Sequence, residues 1–125
     1  MKKILIVDDA AFMRSVIRGI LEKGGYSDFC EAEDGDVAFL HFKEYEPDLV
    51  ILDITMPRQD GVETLKQIMA HNAEACVVMC SAIGQEQQIV KAIQSGARDY
   101  IVKPFMPENL LRAVDRHLKY ENAEQ

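Results

Sequence analysis

Cysteine, long hydrophobic runs and positive charge are all scarce in this sequence of 125 residues. The longest apolar run, residues 75–80, is far shorter than the roughly 18 residues that a membrane-spanning helix needs. The four apolar residues that follow Lys3 are too few for the hydrophobic part of a signal peptide. A formal charge of −7 opposes binding to nucleic acid or anionic membranes, because their phosphate groups would be repelled. We therefore expect a cytoplasmic protein with neither nucleic-acid nor membrane partners.

The three cysteines favour a reducing compartment. Cys76 and Cys80 are placed on one predicted strand, about 13 Å apart at the usual rise per residue, so they cannot form a disulfide with each other. Cys30 belongs to another segment, and the sequence has no Cys-x-x-Cys or Cys/His spacing typical of a metal site. We interpret all three as small apolar residues of the core.

Length and composition predict one globular domain, residues 1–125. A chain that is 48% hydrophobic can bury a core at this length, but it is too short to add an output domain. We expect it to be a monomer.

Five apolar segments predict β-strands: residues 4–7, 28–32, 49–53, 75–80 and 98–103. The third has four apolar residues in a row before Asp53, which is typical of a strand buried on both faces of a sheet. The second is less apolar and suits a sheet edge. After Asp53, Met56-Pro57 and Asp60-Gly61 prevent the strand from continuing and predict a loop.

Apolar residues at helical spacing follow each predicted strand. The expected inward stripes are Val16, Ile17, Ile20 and Leu21; Ala38, Phe39, Phe42 and Tyr45; Val62, Leu65, Ile68 and Met69; Ile89, Val90 and Ile93; and Leu110, Leu111, Val114 and Leu118. Val37 and Leu40 fall partly outside the second stripe, which indicates either a half-exposed helix or a second interaction surface. The tail, residues 121–125, is expected to fray.

Alternation of strands and helices predicts an α/β fold, a doubly wound five-stranded parallel sheet with helices on both faces. All strands of a parallel sheet end at the same rim. The polar residues at or just past these ends are Asp8, Asp9, Asp53, Ser81 and Lys103. We expect their side chains to open onto one rim of the sheet.

This set of residues suits phosphoryl transfer. Carboxylates held close together repel one another, which calls for a bound cation or for protonation, and oxygen ligands alone favour Mg²⁺. A metal ion and a lysine would stabilise the charge on phosphoryl oxygens, while a hydroxyl such as Ser81 donates to one of them. Asp53 would then be the nucleophile that forms an acyl phosphate.

Each of these residues also has an ordinary structural interpretation. An aspartate or serine after a strand often caps the next helix, and a lysine at a strand end is often only solvated. The combination is far more specific than any single member.

The residues resemble the receiver domains of two-component response regulators over the whole chain. The matching segments are Ile6-Val7-Asp8-Asp9, Leu52-Asp53-Ile54-Thr55-Met56-Pro57, Gly61, Cys80-Ser81-Ala82, Gly96-Ala97, Tyr100 and Lys103-Pro104-Phe105. The longer sequence segments around Asp8, Asp53 and Ser81 are similar to those of stand-alone chemotaxis regulators of the CheY type. This resemblance implies a flavodoxin-like fold with strand order 2-1-3-4-5, and a protein that is a phosphoacceptor and not an enzyme in the usual sense.

The resemblance also implies a role for individual residues. Asp53 would accept the phosphoryl group, and Asp8, Asp9, Asp53 and the backbone carbonyl of Thr55 would hold Mg²⁺, with Asp9 the more direct ligand. Lys103 would pair with phosphoryl oxygens, and Ser81 would move to form a hydrogen bond to one of them. Tyr100 would then turn inward into the space that Ser81 leaves.

Further roles concern timing and output. Thr55 and Ile83 would modulate the lifetime of the phosphoryl group. Tyr100, Val102 and Phe105 would form a partner face made by the fourth helix, fifth strand and fifth helix. Tyr100 also has a plainer interpretation, an edge-strand aromatic that packs on the fourth helix. The peptide bond between Lys103 and Pro104 is often cis in this family.

Partners follow from the same resemblance. A CheA-like sensor histidine kinase, or a small acyl phosphate, would be the phosphodonor, a flagellar motor switch protein the output partner, and a phosphatase a further partner. A phosphorelay intermediate or a phosphate sink is the alternative output.

Other function classes fit less well. A haloacid dehalogenase phosphatase needs a second aspartate where Thr55 stands, and an FMN binder needs a phosphate-cradling loop where Asp8 and Asp9 stand. A binding module that takes no phosphate also stays open.

Overall fold

A computed structural model of the chain describes residues 1–56 and 59–120. The five strands are β1 (Lys3–Val7), β2 (Asp28–Ala32), β3 (Leu49–Asp53), β4 (Val77–Ala82) and β5 (Asp99–Lys103). They form one parallel sheet in the order β2-β1-β3-β4-β5, which confirms the predicted topology and places β2 at an edge. Every strand therefore ends at the same rim.

A helix follows each strand. The helices are α1 (Ala11–Lys23), α2 (Gly35–Tyr45), α3 (Gly61–His71), α4 (Glu86–Gln94) and α5 (Pro107–Asp115), and α5 continues into a π-helical segment, Arg116–Tyr120. Two helices begin at aspartate caps, since Asp34 accepts a hydrogen bond from the amide of Val37 and Asp60 accepts one from Glu63, both at 2.9 Å. Caps of this kind stabilise a helix by about 1 kcal/mol.

Alternate residues of the strands face two separate cores. Leu5, Val50 and Met79 pack on the side of α2, α3 and α4. Ile4, Ile51 and other residues of opposite parity pack on the side of α1 and α5. Because β3 lies between β1 and β4 and has helices on both faces, all five of its residues are buried, as its continuous apolar pattern predicts.

The prediction for the inward stripe of α4 is confirmed for Ile89 and wrong for Val90 and Ile93. Its buried side runs through Ala92, with Ile89 partly buried, whereas Val90 and Ile93 are 54% and 44% exposed. Residues 89 and 92 lie on one face of the helix. Because this face packs on the core, the side chains of Val90 and Ile93 point toward solvent. Alanine carries a weak hydrophobic signal, so a pattern weighted toward large residues selects the neighbouring face.

Strand β4 begins two residues later than predicted and includes Ser81 and Ala82. Cys76 therefore precedes the strand on which Cys80 lies. All three cysteines are free, and burial raises the pKa of the Cys80 thiol to about 12, which fits its interpretation as a core residue.

Several smaller predictions have a clear outcome. Val37 is partly buried against the core, while Leu40 is 51% exposed, so only Leu40 of this pair lies at the surface. Pro57 and the tail, residues 121–125, lie outside the described residues. Within residues 1–56 and 59–120, no helix is long and apolar enough to span a membrane.

Candidate functional site

The five rim residues come from four strand ends. Asp8 and Asp9 follow β1, Asp53 is the last residue of β3, Ser81 is next to last in β4, and Lys103 ends β5. The registers align these ends, because Asp53 pairs with Cys80 and Ala82 pairs with Lys103. The structure therefore brings the predicted residues to one place.

Three carboxylates gather at the centre of the rim. Asp8, Asp9 and Asp53 each offer a ligand oxygen, and these oxygens all lie within 4.8 Å of one another. Asp8 and Asp53 are buried, whereas Asp9 is exposed. A site of this kind, with oxygen donors and one open side, fits a hard divalent cation such as Mg²⁺ that retains several waters.

Lys103 supplies the cation that the described site already contains. Its Nζ atom lies 2.8 Å from Asp8 Oδ2 and 3.3 Å from Asp53 Oδ2. The ammonium group therefore contacts both buried carboxylates. The Lys103 side chain is itself partly exposed to solvent. The Lys103–Pro104 peptide bond is cis, a geometry that the sequence permits without fixing it.

The local charges shift the pKa values of Asp53 and Lys103. Burial raises the pKa of the Asp53 carboxyl; Lys103 opposes this rise, and the charge of Asp8 adds to it, so the pKa is raised overall. Burial by itself lowers the pKa of Lys103, but the hydrogen bond to Asp8 and the charges of Asp53 and Asp8 outweigh burial and raise it. Lys103 is therefore positive at neutral pH, and the ionised Asp53 is destabilised by its surroundings.

Ser81 is buried, and its hydroxyl has no hydrogen-bond partner among the described residues. Most buried hydroxyls are paired, so an unpaired one needs an explanation. Asp53 pairs with Cys80, so Ser81 is the next residue along β4, at the rim that carries the acidic cluster. A free donor there is suited to an incoming oxygen.

Asp8 also makes the ordinary structural contact expected of such an aspartate. Its Oδ1 atom accepts a hydrogen bond from the amide of Ala10 at 2.9 Å. The guanidinium of Arg14 donates to the backbone carbonyl of Asp8 at 2.6 Å and to Glu31 at 3.0 Å. The turn before α1 thus fixes Asp8 in place and leaves its other oxygen, Oδ2, to Lys103.

Gly61 allows α3 to start directly against the strand that carries Asp53. A Cβ atom at this position would lie 2.2 Å from the Asp53 carbonyl oxygen and 2.8 Å from the Ile54 Cα atom. The amide of Gly61 donates to the Ile54 carbonyl at 2.7 Å. The glycine is thus required by close backbone approach, and it fixes the end of β3.

The predicted partner face is open and partly apolar. Tyr100 is 46% exposed, and it lines a surface pocket of about 450 Å³ with Val102, Phe105, Met106 and Arg112 among its other walls. Val90 and Ile93 of α4 are exposed as well. An outward Tyr100 is consistent with the orientation that the resemblance gives to the protein before phosphorylation.

The two predicted timing positions lie on the rim, where Thr55 is exposed and Ile83 is 79% exposed. Gln85 was not among the predicted site residues, although its side chain joins the loops after β3 and β4. A polar residue before a helix carries no sequence signal for such a contact. The sequence likewise predicts no role for Arg14, which donates to the Asp8 carbonyl.

The chain belongs to the response regulator receiver domain family, which its residues 4–115 match. It is 51% identical to chemotaxis protein CheY of Bacillus subtilis over 93% of this chain and 97% of that protein. It is 49% identical to CheY of Listeria monocytogenes, over 95% of this chain and all of that protein. A solved structure of the Vibrio cholerae chemotaxis protein CheY4 superposes with a TM-score of 0.87 at 29% identity, covering 94% of this chain and 99% of that one. The chain is thus a CheY-type receiver of two-component signalling, as its motifs predict.

Proposed function

We propose that Asp53 accepts a phosphoryl group from a histidine kinase in a Mg²⁺-dependent reaction. The observation that carries this proposal is the unpaired hydroxyl of Ser81 at the same rim as the Asp8, Asp9 and Asp53 cluster and Lys103. A structural role alone explains the carboxylates and the lysine, but it leaves that buried hydroxyl without a partner. A phosphoryl group on Asp53 supplies one.

In the transfer, an oxygen of the Asp53 carboxylate forms a bond to phosphorus. The bond between phosphorus and the kinase histidine nitrogen breaks, its electron pair stays on the nitrogen, and a proton taken up by the ring gives neutral imidazole as the leaving group. Asp53 must be ionised to attack, and Lys103 at 3.3 Å favours that form.

Asp8, Asp9, Asp53 and the backbone carbonyl of Thr55 would hold the magnesium ion. When bound, it neutralises the carboxylates and the charge on the phosphoryl oxygens. Asp9 has the exposed carboxylate of the three, which suits the more direct ligand. Lys103 would move its contact from Asp8 toward a phosphoryl oxygen, and Ser81 would donate its hydroxyl to another.

The phosphoryl donor that we propose is a CheA-like sensor histidine kinase, and small acyl phosphates can substitute for it. The phosphorylated protein would then bind a flagellar motor switch protein through the face that contains Tyr100, Val102 and Phe105. Support comes from the exposed side chains of Tyr100 and Val102 on this face and from the similarity to chemotaxis proteins. We place this signalling step in the cytoplasm.

Intact mass in mild acid, after incubation with Mg²⁺ and acetyl phosphate, tests the proposed chemistry. We expect the gain of one phosphoryl group, and loss of that gain in Asp53→Asn and in the presence of a chelator. The absence of any gain with every donor would overturn the proposal. Phosphorylation-dependent binding to a motor switch peptide, against transfer to a histidine phosphotransfer protein, then separates the motor output from a phosphorelay.

A further inference from the structure

The side chain of Gln85 bridges the loop after β3, which follows Asp53, and the end of β4. Its Nε2 atom donates to Thr55 Oγ1 at 2.5 Å, and its Oε1 atom accepts from the amide of Ala82 at 2.6 Å. Thirty residues of sequence separate Gln85 from Thr55. One amide group therefore ties the loop after β3 to the end of β4.

This bridge belongs to a continuous path of contacts around the phosphoacceptor. The amide of Thr55 lies 3.4 Å from Asp53 Oδ1, so the residue that Gln85 contacts in one loop also contacts Asp53. The other contact of Gln85, Ala82 at the end of β4, directly follows Ser81. Gln85 thus acts on both sides of the site without touching Asp53 itself.

Helix capping does not explain these contacts. Gln85 occupies the N-cap position of α4, but its side chain makes no capping hydrogen bond to that helix. The side chain turns back toward Ala82 instead, across a turn in which Gly84 has a φ of 95° and the Gln85 amide donates to the Ala82 carbonyl at 3.3 Å. Both hydrogen bonds of the side chain point away from the helix and toward the site.

We propose that Gln85 is a positioning residue that holds the Ser81–Ala82 segment in its resting place and thereby opposes phosphoryl acceptance. This inference rests on the proposed function, in which Ser81 moves to bond a phosphoryl oxygen. While Gln85 holds the Ala82 amide and Thr55 together, that movement breaks at least one of its two hydrogen bonds. The Ser81 hydroxyl has no hydrogen-bond partner among the described residues, and we attribute this to the hold of Gln85 on the adjacent Ala82 amide.

Removal of the bridge should favour the moved state. A ligand or mutation shifts a two-state equilibrium by its differential interaction with the two states. The loss of hydrogen bonds made only at rest should therefore increase the rate of phosphorylation by acetyl phosphate, and the affinity for the phosphoryl analogue beryllofluoride with Mg²⁺, by roughly three- to tenfold.

The first test needs no metal and no phosphate. Amide hydrogen exchange of Ala82 is measured by NMR in the wild-type protein, in Gln85→Ala and in Gln88→Ala, whose glutamine is exposed on α4. We expect exchange of the Ala82 amide to be about tenfold faster in Gln85→Ala alone, because its acceptor is lost. Equal exchange in the two variants would overturn the inference.

The second test measures phosphorylation rates and beryllofluoride affinity. Gln85→Ala should show the increase and Gln88→Ala should match the wild type. Thr55→Val, which removes the other end of the bridge and leaves α4 intact, should also increase both quantities, and Gln85→Ala should add nothing in that background. Phosphate uptake at equal rates in Gln85→Ala and Gln88→Ala overturns only the role of Gln85. No uptake by the wild type overturns the proposed function together with it.

Discussion

Lys103 is hydrogen-bonded to Asp8, at 2.8 Å, and lies farther from Asp53, at 3.3 Å. The Lys103 ammonium group is therefore mainly the counterion of Asp8, the buried carboxylate that follows β1. Asp8 in turn is held by the amide of Ala10. The geometry keeps Lys103 close to Asp53 and leaves it free to turn toward a phosphoryl oxygen.

Replacement of Lys103 by methionine should destabilise the metal-free protein by about 2 kcal/mol, because two buried carboxylates lose their shared counterion. Urea denaturation at neutral pH measures this loss. Addition of Mg²⁺ should recover part of it, since the ion would replace the missing charge. Lys91→Met, at an exposed position of α4, is the control and should have almost no effect. A stability equal to that of the control would contradict a counterion role for Lys103.

Asp53→Asn should increase the stability of the metal-free protein at neutral pH. The pKa of Asp53 is raised in the folded protein above its ordinary value near 3.8, mainly by burial, so the folded state binds more protons between the two values. Stability therefore falls as pH rises through this window, and the full cost is present above the folded pKa. Each pKa difference of one corresponds to about 1.4 kcal/mol.

Thermal or urea unfolding of wild type and Asp53→Asn as a function of pH checks this prediction. The two stabilities should converge below about pH 4, where the wild-type carboxyl is protonated in both states. The carboxamide introduced by this substitution keeps an oxygen for the amide of Thr55, so the comparison isolates the charge. A variant that is less stable than the wild type at neutral pH would show that Lys103 outweighs burial.

Gly61→Ala should destabilise the protein by more than about 2 kcal/mol and slow phosphoryl acceptance. The added Cβ meets backbone atoms of Asp53 and Ile54, which cannot move without shifting the end of β3. Gly19→Ala is a matched control, because a Cβ there meets nothing within 4 Å and alanine favours the helix by up to about 1 kcal/mol. Chemical denaturation and acetyl phosphate kinetics measure both effects. If Gly61→Ala behaved like Gly19→Ala, close packing at the strand end would not position Asp53.

Much of this fold is encoded locally. The buried strand 49–53, its flanking turn residues and the regular alternation of strands and helices predict the parallel sheet, and the shared rim brings Asp8, Asp53 and Lys103 together. The structural features that the sequence does not predict depend on contacts between distant segments. The inward face of α4 depends on how Ala92 packs in the core, and the bridge from Gln85 to Thr55 depends on the position of two loops. The pairing of Lys103 with Asp8 over Asp53 is likewise a matter of sub-ångström geometry.

The partner face should be separable from the phosphorylation site by mutation. Tyr100→Ala should weaken binding of the phosphorylated protein to a motor switch peptide at least tenfold, because a half-exposed aromatic that lines a surface pocket is the kind of residue that contributes most to binding. Its phosphorylation by acetyl phosphate should stay close to that of the wild type, since the side chain lines a surface pocket that none of the acidic cluster residues lines.

Leu40→Ser, at an exposed apolar position of α2, is the control, and it also tests that helix as a second interaction surface. Fluorescence anisotropy with a labelled peptide gives the affinities. Weaker binding in Leu40→Ser, with Tyr100→Ala unchanged, would move the output surface from β5 to α2.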